Sequence, residues 1–263
     1  MIAHNIKYKQ IPKDIIHLRL QNQLISHSTM KSAKETVEWM GAMQAQDLNW
    51  ARWAIGLRLP GSTRSEVDKA LDEGQVLRTH VLRPTWHFVS PEAISLMLDL
   101  TAPSIRQAMK SRHNQLQITG AILAKFYGLI TKALEEQGPV TRDEIREITE
   151  KARIETGDNR LAHLLVCAEL DRVICSGPFK SNKPTYAHFE KRVTQRLKLS
   201  REEANARLAR SYFRSHGPAT LRDFTCFLPT MSTWSAIPTV VPLSCMKIRR
   251  RLYPAMAYSG RWF

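Results

Sequence analysis

Three observations in the sequence predict a mainly α-helical fold with short β-hairpins. Apolar residues recur at helical spacing over most of the first 223 positions. Short apolar runs, broken by Gly, Pro, Ser and Asn, follow two of the helical sets. One turn occurs twice, as Gly138-Pro139-Val140-Thr141 and Gly217-Pro218-Ala219-Thr220, 79 positions apart and each time between helices. Within residues 122–190 three helices precede a hairpin with lysines at its tip, which is the winged-helix order. The predicted class is therefore tandem winged-helix (helix-turn-helix) units. Residues 1–100 form the first, 101–121 a linking helix or linker, 122–190 the second and 200–223 the start of a third, before an atypical tail, 224–263.

In chain order, Ile15, Leu18, Leu20, Leu24 and Ile25 give a helix over 14–27. Further helices are expected at 32–43 and 48–57, the latter capped by Asp47 and ended by Pro60-Gly61. Thr63 with Glu66 three residues on reads as a capping box, and Gly74 closes that helix. Residues 76–82 and 85–89 read as extended, and Ser90-Pro91-Glu92 opens a helix with proline at its favoured first position. The second block has helices at 123–137, 142–151 and 160–170, then extended runs at 173–175 and 184–187. A helix over 202–215 starts the third.

Composition narrows the function. The chain has 39 Lys+Arg against 24 Asp+Glu, a net charge of +15, which points to a polyanionic partner and to nucleic acid first. No run of 18 apolar residues is present, and the first residues lack a signal-peptide core. Cys167, Cys175, Cys226 and Cys245 make no Cys-x-x-Cys pair, so neither structural zinc nor a disulfide scaffold is expected. Phosphate-loop, dinucleotide, zinc-protease and serine-nucleophile motifs are absent. No metal or cofactor is expected, and a reducing cytoplasmic setting is the simplest.

The organising stretch is Gly41-Ala42-Met43-Gln44-Ala45-Gln46-Asp47. On a helix, Gln44 and Gln46 would point about 200° apart; only an extended or bent chain brings both to one side. The plain reading is a polar helix–helix junction; the functional one is a pair of carboxamides addressing one ligand. Arg160 and His163 stand where a recognition helix begins, and Lys180 and Lys183 at the wing tip, so phosphate contact is expected there. Arg78 and Arg83 on the first hairpin, with His87, complete the candidate DNA-binding set. Trp50, Trp53 and Trp86 are expected in the core.

Three stretches then carry a resemblance. They are the Gln44 stretch, Leu77-Arg78-Thr79-His80 with Arg83-Pro84-Thr85-Trp86-His87-Phe88, and Ala168-Glu169-Leu170 with Ile174-Cys175-Ser176-Gly177-Pro178. Together they resemble the AlkZ-like/YcaQ-like DNA glycosylases over roughly residues 10–223. The resemblance implies tandem winged-helix units, double-stranded DNA as partner and removal of N7-alkylated purines, with crosslink unhooking in some members. It implies that Gln44 and Gln46 position the attacking water. Relatives with aspartate at the second position have a stronger base there, so this chain falls in the glutamine subgroup. A monofunctional DNA glycosylase is the reading this favours. The alternative is a non-catalytic winged-helix DNA-binding protein or an inactive truncated paralogue. No dimerisation segment is evident, so a monomer is expected, nucleoid-associated in the cytoplasm.

The tail breaks the pattern. Residues 224–263 hold no Asp or Glu, four of the 13 prolines and the run Arg249-Arg250-Arg251. Translation in a wrong frame would give such a segment. The expectation is that 225–263 does not complete the third unit and leaves the apolar face of 204–213 without partners.

Overall fold

The computed structural model describes residues 13–228; residues 1–12 and 229–263, which include most of the atypical tail, lie outside the described residues. The chain is mostly helical with two small antiparallel sheets. Its elements are α1 (Lys13–Asn22), α2 (Ala33–Met40), β1 (Met43–Gln44), α3 (Leu48–Gly56), α4 (Arg64–Asp72), β2 (Leu77–His80), β3 (Trp86–Val89) and α5 (Pro91–Gln115). Then follow α6 (Gly120–Gln137), β4 (Val140–Thr141), α7 (Arg142–Lys151), α8 (Arg160–Leu170), β5 (Ile174–Ser176), β6 (Thr185–His188), α9 (Phe189–Arg192), α10 (Arg201–His216) and α11 (Leu221–Phe227). The string α2-β1-α3-α4-β2-β3 recurs as α6-β4-α7-α8-β5-β6. Both sheets share one strand order, β1-β3-β2 and β4-β6-β5.

Helix starts follow the capping residues. The Asp47, Thr63, Thr141 and Thr220 side chains each accept from an N–H of the first turn. In the repeated turn the partner acids are Glu144 and Asp223, each three residues past its threonine. The repeat thus aligns Asp223 with Glu144 rather than with Asp143. The two turns differ in backbone: Gly138 has φ 74°, whereas Gly217 is extended and joined to Pro218 by a cis peptide.

Helix ends follow a less visible rule. α1 stops at Asn22 rather than near residue 27 because Leu24 turns left-handed and the Ile25 N–H reaches back to the Leu20 carbonyl at 2.8 Å. α5, α7 and α8 end the same way on Gln117, Arg153 and Arg172, none of them glycine. The second predicted helix ends at Met40, where Gly41 at φ 78° frees the chain to extend as β1.

The expected linker at 101–121 is mostly the second half of α5, which runs 25 residues straight through Pro103. An internal proline costs about 3 kcal/mol. Here Ile94, Leu98 and Leu100 before it, and Ile105 and Met109 after it, are buried in one cluster that holds both halves down. That cluster also takes in Val166 of α8 and Ala204, Leu208, Ala209 and Tyr212 of α10. The apolar face of α10 is therefore covered, against expectation, by α5 and by α2. Phe224 and Leu228 are buried there too, so ordered packing extends past Asp223 where the composition changes.

Candidate functional site

β1 is short but fully specified. Met43 pairs with Phe88 and Gln44 with His87 across the sheet, and the Ala45 N–H donates to the Trp86 carbonyl at 2.7 Å. Asp47 Oδ1 then accepts from the Trp50 N–H at 2.9 Å and starts α3. Between the two glutamines Ala45 is fully buried, while Gln44 and Gln46 are exposed. β1 ends at Gln44 and Gln46 lies in the bend that follows, and the exposed–buried–exposed order leaves both carboxamides facing solvent with Ala45 turned inward between them. Gln46 Oε1 accepts from the Trp86 backbone N–H at 3.2 Å. Gln44 makes no side-chain hydrogen bond among the described residues.

Arg78 fixes the same stretch from behind. Its Nε donates to the Ala45 carbonyl at 2.9 Å, its Nη2 donates to the Gln46 carbonyl at 3.0 Å, and its guanidinium lies 4.3 Å over the Trp86 ring. Its own backbone N–H donates to Ser176 Oγ of β5 at 2.8 Å, which ties the two sheets together. Arg78, expected as a phosphate contact, braces the glutamine stretch here, because two carbonyls and an aromatic face lie within its reach. His87 is buried as well. Burial pushes its imidazole down to about 4, so it is neutral at physiological pH, with Nδ1 bonded to the Thr85 carbonyl at 2.9 Å. A buried neutral ring offers no cation to a phosphate; His87 is the partner of Gln44 in the sheet.

Beneath this sheet Glu169 of α8, with no exposed surface, gathers three donors on one oxygen. Oε2 accepts from the His80 N–H at 3.0 Å and from Thr79 Oγ1 at 3.3 Å, and lies 2.7 Å from His80 Nδ1. The His80 ring in turn lies 4.1 Å from that of Trp86. Glu169, His80, Trp86 and Gln46 thus make one continuous contact chain from the second sheet's helix to the candidate site.

A family model described as DNA glycosylase AlkZ-like matches residues 37–235. The chain belongs to the AlkZ-like DNA glycosylase family. It is 23% identical over 239 residues to the interstrand DNA cross-link repair glycosylase of Streptomyces sahachiroi, covering 84% of this chain and 61% of that one. The solved structure of Streptomyces sahachiroi DNA glycosylase AlkZ matches with a TM-score of 0.63 at 22% identity, over 90% of this chain and 64% of that one. The chain thus spans less than two thirds of the length of these relatives. Among the described residues no helix is long and apolar enough to cross a membrane, and no group of three or more His, Cys, Asp or Glu could hold a metal ion.

The three stretches that carry the AlkZ-like resemblance meet in space. The glutamine stretch is held by Arg78 and Trp86 of the second, and the second is held by Glu169 and Ser176 of the third. Gly177 belongs there because a Cβ on it would collide with Thr185 Oγ1. The remaining expected DNA contacts divide. Arg83 is exposed at the turn between β2 and β3. Lys180 and Lys183 bridge across a two-residue turn, Ser181-Asn182, with both φ values positive, and their ammonium groups pair with Glu144 and Asp143 of α7 at 2.5 and 3.3 Å. The bond from Lys180 holds the Glu144 carboxyl down at about 2. Arg160 is buried at 9% exposure, donating to the carbonyls of Glu155 and Gln117 at 3.4 and 3.3 Å. His163 is half-buried edge-on against His113 of α5, its ring held below the usual histidine range by burial. α8 thus turns this end toward the α5–α6 junction, where both side chains find partners within the fold. Trp50 and Trp53, expected in the core, are 68% and 59% exposed. What the sequence reading missed is the Glu169–His80 pair, whose only signal was its place inside the motif stretches.

Proposed function

We propose that the chain is a monofunctional DNA glycosylase that hydrolyses the N-glycosidic bond of N7-alkylated purines in double-stranded DNA, carried on tandem winged-helix units, and that a crosslinked purine is within its scope. The observation that carries this reading is the pair of exposed carboxamides at the end of β1: Gln44, with no side-chain hydrogen bond among the described residues, and Gln46 just past the strand, anchored by the Trp86 N–H. The repeated element string and the matching strand orders support the winged-helix assignment.

The chemistry suits neutral amides. Alkylation at N7 makes the purine a cation, so the electron pair of the breaking N9–C1′ bond neutralises the leaving base without protonation. The sugar is left as an oxocarbenium-like ion, and water adds to C1′ while its proton passes to solvent. The Gln44 carbonyl accepts a hydrogen bond from that water and the Gln46 amide, with its oxygen already occupied, orients it. Neither is a base of useful strength, so the ~10²–10⁴-fold of acid–base catalysis is largely missing and only labile adducts react well. Arg83, Lys180 and Lys183 are the exposed cations for the backbone, since solvent-exposed ion pairs worth about 0–1 kcal/mol yield readily to phosphate.

Release of free N7-methylguanine from methylated duplex DNA, compared between wild type and Gln44→Ala, tests this. Release by wild type that the substitution lowers by about 10²-fold is the expected result. DNA binding with no release by wild type would favour the non-catalytic alternative.

A further inference from the structure

We propose that Trp50 and Trp53 form a stacking platform for a nucleobase that has lost its pairing partner beside the reacting nucleotide. The inference rests on the glycosylase reading above and adds a second contact to the same site.

α3 has an inner and an outer face. Ala51, Arg52 and Ile55 are buried, and Arg52 is held by an ion pair to Asp68 and by its place 4.6 Å over the Phe179 ring. On the outer face Trp50 and Trp53 stand 68% and 59% exposed, with ring centroids 5.9 Å apart at 89°, and Leu57, 43% exposed, continues the stripe. Large aromatic rings set together in water on a rigid helix mark a contact surface rather than packing. Their placement says which one. Trp50 is in the first turn of α3, its N–H bonded to the Asp47 cap, four residues beyond Gln46. No loop intervenes, so the platform is fixed relative to the glutamine pair.

The stripe also defines its occupant. α3 has no acidic residue, and its one cation, Arg52, is turned inward, so the outer face suits an uncharged flat group and not a phosphate. Two rings at about two-thirds exposure offer roughly 300 Å², well short of the about 800 Å² per partner of a standard protein interface. A single base fits that area, and a chain of net charge +15 supplies the attraction for its backbone. Every base has a π-face, so such a contact recognises an unpaired base without selecting its identity.

The full chain should be titrated onto two duplex oligonucleotides. One is fully paired; the other carries 2-aminopurine opposite a tetrahydrofuran abasic analogue. Wild type should quench the 2-aminopurine on binding. Trp50→Ala and Trp53→Ala should each weaken binding to the abasic duplex about tenfold, reduce the quenching, and leave the paired duplex within about twofold, with Trp50→Phe close to wild type. Equal losses on both duplexes, no loss on either, or a wild-type dimer that Trp50→Ala converts to monomer would each overturn the platform. Gln44→Ala should bind both duplexes as wild type does. If wild type releases N7-methylguanine while the tryptophan variants bind the abasic duplex unchanged, the platform alone falls. If wild type binds neither duplex, the glycosylase reading falls with it.

Discussion

The Trp86 backbone N–H donates to the Gln46 side-chain oxygen at 3.2 Å, whereas among the described residues no side-chain bond holds Gln44. Trp86 also touches both the Arg78 guanidinium and the His80 ring, at 4.3 and 4.1 Å. One carboxamide is therefore built into the fold and the other is left to the solvent side. The two glutamines, alike in type and exposure, are not equivalent.

Gln44→Ala should lower N7-methylguanine release by about 10²-fold if water positioning is its role, with duplex affinity and melting temperature unchanged. Gln46→Ala should show a comparable loss and a small drop in stability, because the Trp86 N–H loses its acceptor, a bond worth about 1 kcal/mol. Gln46→Asp restores an acceptor and supplies a base, so it should keep activity and acquire a pH dependence that wild type lacks. Single-turnover release across pH 5 to 8 checks all three.

Arg78 and Arg83 should separate cleanly although both stand on the same hairpin. Arg78→Lys loses the two-carbonyl grip on Ala45 and Gln46 and the face contact with Trp86. A misplacement of about 1 Å in a positioning group costs on the order of 10²-fold, so the single-turnover rate should fall with little change in affinity. Arg83→Ala should do the reverse, weakening binding with the rate at saturation preserved. A loss of affinity alone in Arg78→Lys would favour phosphate contact as its role.

How much of this was legible in sequence depends on where each residue's partner lies. Helix starts were readable because Thr63 and Glu66, or Asp47 and the next turn, are local pairs. Helix ends were readable where the apolar period itself stops, at Gln137, Lys151 and Leu170, but not at Asn22, where Leu24 takes the left-handed position that glycine normally advertises. The α5 helix hid behind Pro103, whose cost is outweighed by core contacts that no local window contains. In the site, the period-2 argument for Gln44 and Gln46 used only adjacent residues. Arg78 and Arg160 look like surface cations by type, yet their carbonyl partners are 33 and 43 residues away in sequence. Trp50 and Trp53 erred the other way: an aromatic at helical spacing reads as core until the inner face of its helix is seen to be full.

Stability should fall as the solution is acidified from neutrality, with His87 a main contributor. Burial holds its folded value at about 4, below the ordinary 6.5, so the unfolded chain binds the proton more readily between those values. The stabilisation is complete above about pH 6.5, declines as pH falls toward 4 and levels off below, a loss of about 3 kcal/mol from this group. Burial lowers His113, His163 and His216 in the same direction. Chemical denaturation of wild type and His87→Gln at pH 7.5, 6, 5 and 4 checks this: the variant should show a shallower slope. A wild type that gains stability on acidification through this window would contradict it.

Lys180 and Lys183 provide the most direct measure of the hairpin tip. Each ammonium is paired with an acid of α7 at 2.5 and 3.3 Å, yet both side chains remain more than half exposed. Such pairs are worth little in water, so a phosphate that displaces counterions should draw the lysines off Glu144 and Asp143. Each contact formed adds about −0.9 to the slope of log affinity against log salt. Replacing both lysines by alanine should flatten that slope by up to about 1.8, weaken paired and damaged duplexes alike, and leave the rate of base release at saturation unchanged. If the slope is the same with and without the lysines, their ion pairs to α7 persist in the complex and the tip is not part of the binding surface. Glu144→Gln with Asp143→Asn, made with and without the lysines, distinguishes the two cases: loss of two acids should tighten binding in both backgrounds, and tighten it more with the lysines present only if they reach phosphate.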